Sequence, residues 1–139
     1  MLLHIIARGK IGRSPEAELT DRYLKRIAWP TKVTELGERA QLPDAAPNSV
    51  SIALDERGTA LSSAQLASKL ESWRDGGKRE ARFLIGAADG HDDAGRAEAD
   101  LLLSFGPATW PHLLVRAMLA EQLFRATSIL ANHPYHREG

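Results

Sequence analysis

Short apolar runs recur along this chain, each ended by a polar or glycine turn, and stretches with helical periodicity lie between them. No other feature constrains the fold as much. The runs at 2–7, 32–36, 49–54, 82–85 and 101–105 have the length of strands and are too short for buried helices. Ser14-Pro15 starts a helix, with serine at the cap and proline at the first helical position. Leu19, Tyr23 and Ile27 then mark an apolar face, Arg22, Lys25 and Arg26 lie on the other side, and Trp29-Pro30 ends the helix. Residues 37–49, with Gly37, Pro43 and Pro47, read as a loop, and Asp55-Glu56-Arg57-Gly58 stops the third strand. Ser62 or Ser63 caps a second helix with Leu66, Leu70 and Trp73 on one face, and Gly76-Gly77 closes it. A short polar helix is expected over 92–100, and Pro111 opens the longest helix, to about Ala131. Parallel neighbours need a crossover between them, so strands alternating with helices give an α/β domain with a mostly parallel sheet.

The 139 residues suit one domain, and 43% hydrophobic with 26% charged residues is the balance of a globular protein. Lysine plus arginine (18) equals aspartate plus glutamate (18), which excludes a uniformly basic coat for nucleic acid but not one local patch. Without cysteine the chain has no disulfide, zinc–thiolate site, iron–sulfur cluster or thiol nucleophile. The first apolar run is too short for a secretory signal and lacks its basic region, and no run reaches the ~20 residues of a membrane span. A cytoplasmic protein without a membrane partner is expected.

Four constellations could carry chemistry. A strand runs into Gly86-Ala87-Ala88-Asp89-Gly90, where open α/β sheets bind ligands at the carboxyl edge, although a tight strand–helix turn alone explains the glycines. The loop over Phe105, Gly106, Pro107, Ala108, Thr109 and Trp110 leaves backbone groups free to clasp an adenine, or is a plain connector. Arg116 falls among Leu113, Leu119, Ala120, Leu123 and Thr127, where a charge needs a partner or a function. The opposite side of that helix holds Glu121, Gln122, Arg125 and Ser128 but also Leu114, Met118 and Ile129, which suggests a second buried side, against a partner subunit for example. The tail carries His133-Pro134-Tyr135-His136-Arg137. Two histidines there could bind a metal, but no third ligand is evident and none is expected. Tyrosine, histidine and arginine together offer a stacking ring, an acid–base group and a phosphate fork, as RNA recognition requires, and nothing in the packing calls for them.

These residues, taken together, resemble the bacterial ribosomal large-subunit pseudouridine methyltransferase H (RlmH) family of the SPOUT superfamily. The likeness spans nearly the whole chain. It rests on Gly9-Lys10, Tyr23-Leu24-Lys25-Arg26, Leu54-Asp55-Glu56-Arg57-Gly58, Phe83-Leu84-Ile85-Gly86, Asp89-Gly90, Ala120-Glu121-Gln122-Leu123-Phe124-Arg125-Ala126 and the tail through Glu138. The resemblance implies one SPOUT-type α/β domain over 1–139 with a mostly parallel sheet and a C-terminal trefoil knot. It implies N3-methylation of a pseudouridine in 23S rRNA of assembled ribosomes by a homodimer using S-adenosylmethionine. Carried over by position, Leu54, Gly86 and residues 105–110 contact the cofactor. Tyr135, His136 and Arg137 would serve the substrate, with His136 as general base or Arg137 stabilising the imide anion. The chain departs from the family at Ala87, Trp110 and Phe124, where Gly, Leu and Tyr are usual. Two rivals remain on the residues alone: a non-catalytic RNA-binding module on the same scaffold, and a metal hydrolase using His112, His133 and His136.

Overall fold

A computed structural model of the protein describes residues 1–86, 96, 97 and 99–137, with Arg137 described by its backbone. All five apolar runs are strands: β1 (Leu2–Arg8), β2 (Thr31–Leu36), β3 (Ser49–Ala60), β4 (Glu80–Ile85) and β5 (Leu101–Ser104). They form one sheet in the order β2-β1-β4-β3-β5, and every neighbouring pair is parallel. The described helices are α1 (Pro15–Leu24), α2 (Ser63–Asp75) and α3 (His112–Leu130), followed by one 3-10 turn over Pro134–Arg137. The expected helix over 92–100 and the 87–90 part of the glycine turn lie outside the described residues, apart from helical Arg96 and Ala97.

Caps form where the sequence placed them. Ser14 Oγ accepts from the Ala17 N–H (3.1 Å). At α2 the cap is Ser62: its Oγ accepts from the Gln65 N–H (3.1 Å) and Gln65 returns an oxygen to the Ser62 N–H (2.8 Å). Alternate residues of the central strands face opposite sides. Leu3, Ile5, Val50, Ile52 and Phe83 bury against α2 and α3 through Leu66, Leu70, Leu119 and Leu123. On the other face Ile6, Ala53 and Leu84 meet Leu36, Leu42, Ala99 and Leu102. There Arg82, 3% exposed, donates to the Pro43 carbonyl (2.9 Å) and so ties the 37–47 loop to the sheet.

Two boundaries differ from expectation. α1 stops at Leu24, not near Trp29, because the Arg26 N–H bonds Tyr23 O and the Ile27 N–H bonds Leu24 O in tighter three-residue steps. Ile27 thereby enters the core at 8% exposure. β3 does not end at Leu54. Leu54 and Thr59 both pair with Leu103, so residues 55–58 bulge out and the strand resumes as far as Ala60. Gly58 is required in this excursion, since a Cβ there would lie 2.5 Å from the Leu102 carbonyl carbon.

Candidate active site

The register sets the stage. Leu54 pairs with Leu103 on β5 and follows Ala53, the partner of Leu84 on β4. Leu54, Gly86 and the loop leaving Ser104 therefore share the carboxyl edge of three adjacent strands, where open parallel sheets receive ligands. Gly86 is buried and Leu54 is 9% exposed, so both contribute the floor of this edge.

The 105–110 loop is braced from within. Gly106 has φ +105, a conformation glycine adopts without strain. Its N–H donates to Ser104 Oγ (3.0 Å), and that hydroxyl also lies 3.2 Å from the Glu56 carbonyl. Thr109 Oγ1 donates to Glu56 Oε2 (2.7 Å), which fastens the loop to the bulge of β3. In the bulge, burial pushes the Asp55 carboxyl up, but the Arg57 N–H and the Arg57 and Arg96 guanidiniums outweigh this and hold it below its ordinary value. Among the described residues, nothing bonds the backbone N–H of Ala108, Thr109 or Trp110. Trp110 is 43% exposed, with its indole N–H donated to the Phe105 carbonyl (3.4 Å). The loop thus offers main-chain donors and an open ring.

A cleft of about 540 Å³ opens beside this loop. Phe105 and Gly106 form one wall, Leu19 and Tyr23 of α1 another, and Leu114, Met118 and Glu121 of α3 a third. Leu54 and Gly86 do not line it. Because α1 and α2 flank α3, much of that helix's all-round apolar surface is covered within one chain, and Leu114 and Met118 stay half-buried at the cleft.

The tail does have a packing role, contrary to the expectation from sequence. The Tyr135 ring lies 4.4 Å from the Phe124 ring, and the Arg125 guanidinium sits 4.9 Å from its centroid. Its hydroxyl donates to Glu121 Oε1 (3.2 Å). Burial, together with hydrogen bonds to Tyr23 and Glu121, pushes the Tyr135 hydroxyl up to about 12, so it is a neutral donor at physiological pH. Glu121 also accepts from Gln122 Nε2 (2.9 Å) and from Arg125 Nε (2.8 Å), and the bond to Glu121 raises the Arg125 guanidinium above its ordinary value. Tyr23 and Glu121 were not singled out as site residues from sequence. Only the four-residue spacing of Glu121 and Arg125 hinted at their pairing.

His136 is half-buried, with Nδ1 2.5 Å from the His133 carbonyl. A carbonyl only accepts, so Nδ1 carries the proton and Nε2 of the neutral ring is left as an acceptor. His136 does not line this cleft. Among the described residues no three His, Asp or Glu side chains converge as a metal site, and no helix is long and apolar enough to cross a membrane.

Arg116 stands apart from these groups. It is 2% exposed, donates to Glu35 Oε2 (2.5 Å) and to the Gly9 carbonyl (3.2 Å), and anchors α3 to the β1–α1 loop and to β2. Its partner is thus a structural ion pair rather than a bound ligand. The Arg116 hydrogen bond and the Ile11 N–H hold the Glu35 carboxyl below its ordinary range.

The family model described as "Predicted SPOUT methyltransferase" matches residues 1–136. The chain is similar to the "Ribosomal RNA large subunit methyltransferase H" proteins of Rhizorhabdus wittichii and Novosphingobium aromaticivorans, each 67% identical with all of both chains covered. The protein of that name from Paramagnetospirillum magneticum is 47% identical over 99% of each chain. Among solved structures, a probable methylase family protein from Haemophilus influenzae superposes with a TM-score of 0.64 at 12% identity, over 96% of this chain and 69% of the other. That last likeness speaks to the fold alone.

Proposed function

Since the chain belongs to the SPOUT methyltransferase family, we propose that it is an rRNA methyltransferase that moves a methyl group from S-adenosylmethionine to N3 of a pseudouridine in 23S rRNA of assembled ribosomes. One observation carries this most directly. Phe105 and Gly106, which begin the loop fitted to hold the donor, line the same cleft as Tyr23 and Glu121, the residues that fix the tail.

S-adenosylmethionine would supply a methyl group activated on a sulfonium, so the transfer is an in-line displacement in which positioning does most of the work. The free N–H groups of 108–110 and the open Trp110 ring fit an adenine edge and face, above the floor of Leu54 and Gly86. Phe105, Gly106 and Pro107 shape the approach. The N3 proton of the pseudouridine must leave. His136 has the tautomer a general base needs, with Nε2 free to accept. Tyr135, held neutral with its one hydroxyl proton donated to Glu121, does not deprotonate N3 and serves instead to hold the tail in place beside the substrate. Arg137 supplies a guanidinium to the imide anion or to a phosphate. On the same reading, residues 1–139 form one methyltransferase domain of a cytoplasmic homodimer, with a C-terminal trefoil knot around the donor loops. The half-buried Leu114 and Met118 supply apolar surface for a second subunit.

The test is methyl transfer from labelled S-adenosylmethionine to ribosomes lacking this modification, compared with protein-free rRNA. Label is expected in the 23S rRNA of intact ribosomes. RNA binding with no calorimetric signal from S-adenosylmethionine would instead identify a non-catalytic RNA-binding module.

A further inference from the structure

On the other side of Tyr135 from the cleft lies a second hollow, a groove of about 530 Å³ between the α1–β2 turn and the end of α3. That size is ordinary for a small-ligand site. Its character is unusual for a chain with no net charge, because no carboxylate is among the described residues that line it. Arg26, Trp29, Phe124, His133 and Tyr135 do. Arg26 is exposed and its guanidinium stands 5.7 Å from the Phe124 centroid. Outside the groove the Arg74 guanidinium, paired with Asp75 (3.1 Å), stands 5.1 Å from the Trp29 ring. The floor is made of small residues, Ser128 and Ala131 among them. His133 Nδ1 accepts from the Tyr135 N–H (3.2 Å), so in the neutral ring Nε2 carries the proton and is a donor.

Flat rings, an exposed guanidinium and one imidazole donor, with no acid among the described lining residues, are what an unpaired nucleotide requires: a face for the base and a cation for its phosphate. Tyr135 is the partition between the two hollows. Its ring lines the groove, and its hydroxyl is bound to Glu121, a wall of the cleft. We propose that the groove is a second RNA subsite, which holds a single-stranded nucleotide of the substrate flanking the one in the cleft, stacked at Trp29 with its phosphate on Arg26. The proposal rests on the rRNA methyltransferase reading and adds to it a site outside the methyl-transfer cleft. The groove recognises a splayed, unpaired strand. A duplex, whose bases are already stacked on one another, has no ring free to enter.

The full-length protein is tested in two assays. In the first, a short single-stranded RNA carrying 2-aminopurine is titrated with protein. Quenching of the fluorophore is expected with the parent and with Trp29→Phe. Binding about tenfold weaker is expected for Trp29→Leu, the usual scale for one lost base–aromatic stack. Arg26→Glu should lower the salt dependence of binding by about 0.7 in the log–log slope, one phosphate contact to a single strand. In the second, KM for ribosomes should rise about tenfold in Trp29→Leu while kcat and S-adenosylmethionine affinity hold. Variants that melt like the parent yet keep its RNA affinity, salt slope and KM overturn the proposal. So does a Trp29→Leu protein whose defect is dissociation of a dimer in sedimentation, which makes the groove a subunit contact. If the parent binds and quenches the RNA but methylates no ribosome, the functional reading fails and the groove stands.

Discussion

Arg116 and Glu35 form an asymmetric pair, and the asymmetry decides what each substitution costs. The arginine is 2% exposed and its Nε has no partner, whereas the Glu35 side chain is 34% exposed. Glu35→Gln strands a buried cation, and its expected cost is about 1–3 kcal/mol, below the 3–5 of a fully buried pair because the carboxylate is already partly solvated. Arg116→Met leaves a carboxylate that water can reach and is expected to cost less. Urea denaturation of both variants checks the order; a larger loss for Arg116→Met would contradict it. The pair also has a pH signature. Glu35 is held below its ordinary 4.5, so its contribution is present above that pH and fades as the pH falls through the lowered value. The stability gap between the parent and Glu35→Gln should therefore close on acidification from 4.5 downward. At the proposed donor site, Gly86 is buried at the end of β4. Gly86→Val is expected to abolish S-adenosylmethionine binding in calorimetry while the domain still melts cooperatively, and unchanged affinity would move the donor elsewhere.

The excursion of β3 shows how an element can be broken and kept. Polar Asp55-Glu56-Arg57 cannot continue a buried ladder, yet Thr59 and Ala60 rejoin β5 because Gly58 lets the backbone pass against Leu102. The bulge also holds the 105–110 loop through Glu56 and Thr109. Gly58→Ala places a methyl 2.5 Å from a backbone carbonyl, which no side-chain rotation relieves. A loss of about 1–3 kcal/mol is expected, the range for overpacked sites, together with faster hydrogen exchange in β5. Normal stability in that variant would mean β5 shifts freely.

At the scale of the whole molecule, the tail joins stability to the proposed function. The Tyr135 ring covers Phe124, and its hydroxyl completes the shell around Glu121. Truncation after Asn132 is expected to lower the melting temperature by a few degrees and to abolish methyl transfer to ribosomes, with S-adenosylmethionine affinity within about twofold of the parent. Tyr135→Phe keeps the ring and should recover most of the melting temperature. Loss of donor affinity in the truncated protein would place the tail in the donor pocket instead.

Periodicity and caps are local, and so the strands, the three described helices and the parallel sheet could be read from sequence: Ser14 and Ser62 cap where a serine must, and Ile5, Ile52 and Phe83 bury where strand alternation requires. The family was legible too, in blocks such as Ala120–Ala126 and the tail. What the sequence left open depends on partners distant along the chain. Whether Arg116 served a ligand or a carboxylate turned on Glu35, 81 positions away, and no spacing rule links them. The tail showed a use for RNA but no packing role in the sequence, because Phe124 and Glu121 sit a full helix end before Tyr135, and only the turn over Pro134–Arg137 folds it back onto them. The 105–110 loop was visible as irregular backbone, but its brace at Glu56 arises from register between β3 and β5. Local sequence dictates which elements form, because helix caps and apolar periods act over a few residues. Only tertiary packing brings two such elements within hydrogen-bond reach, and the cleft and the groove exist on that account.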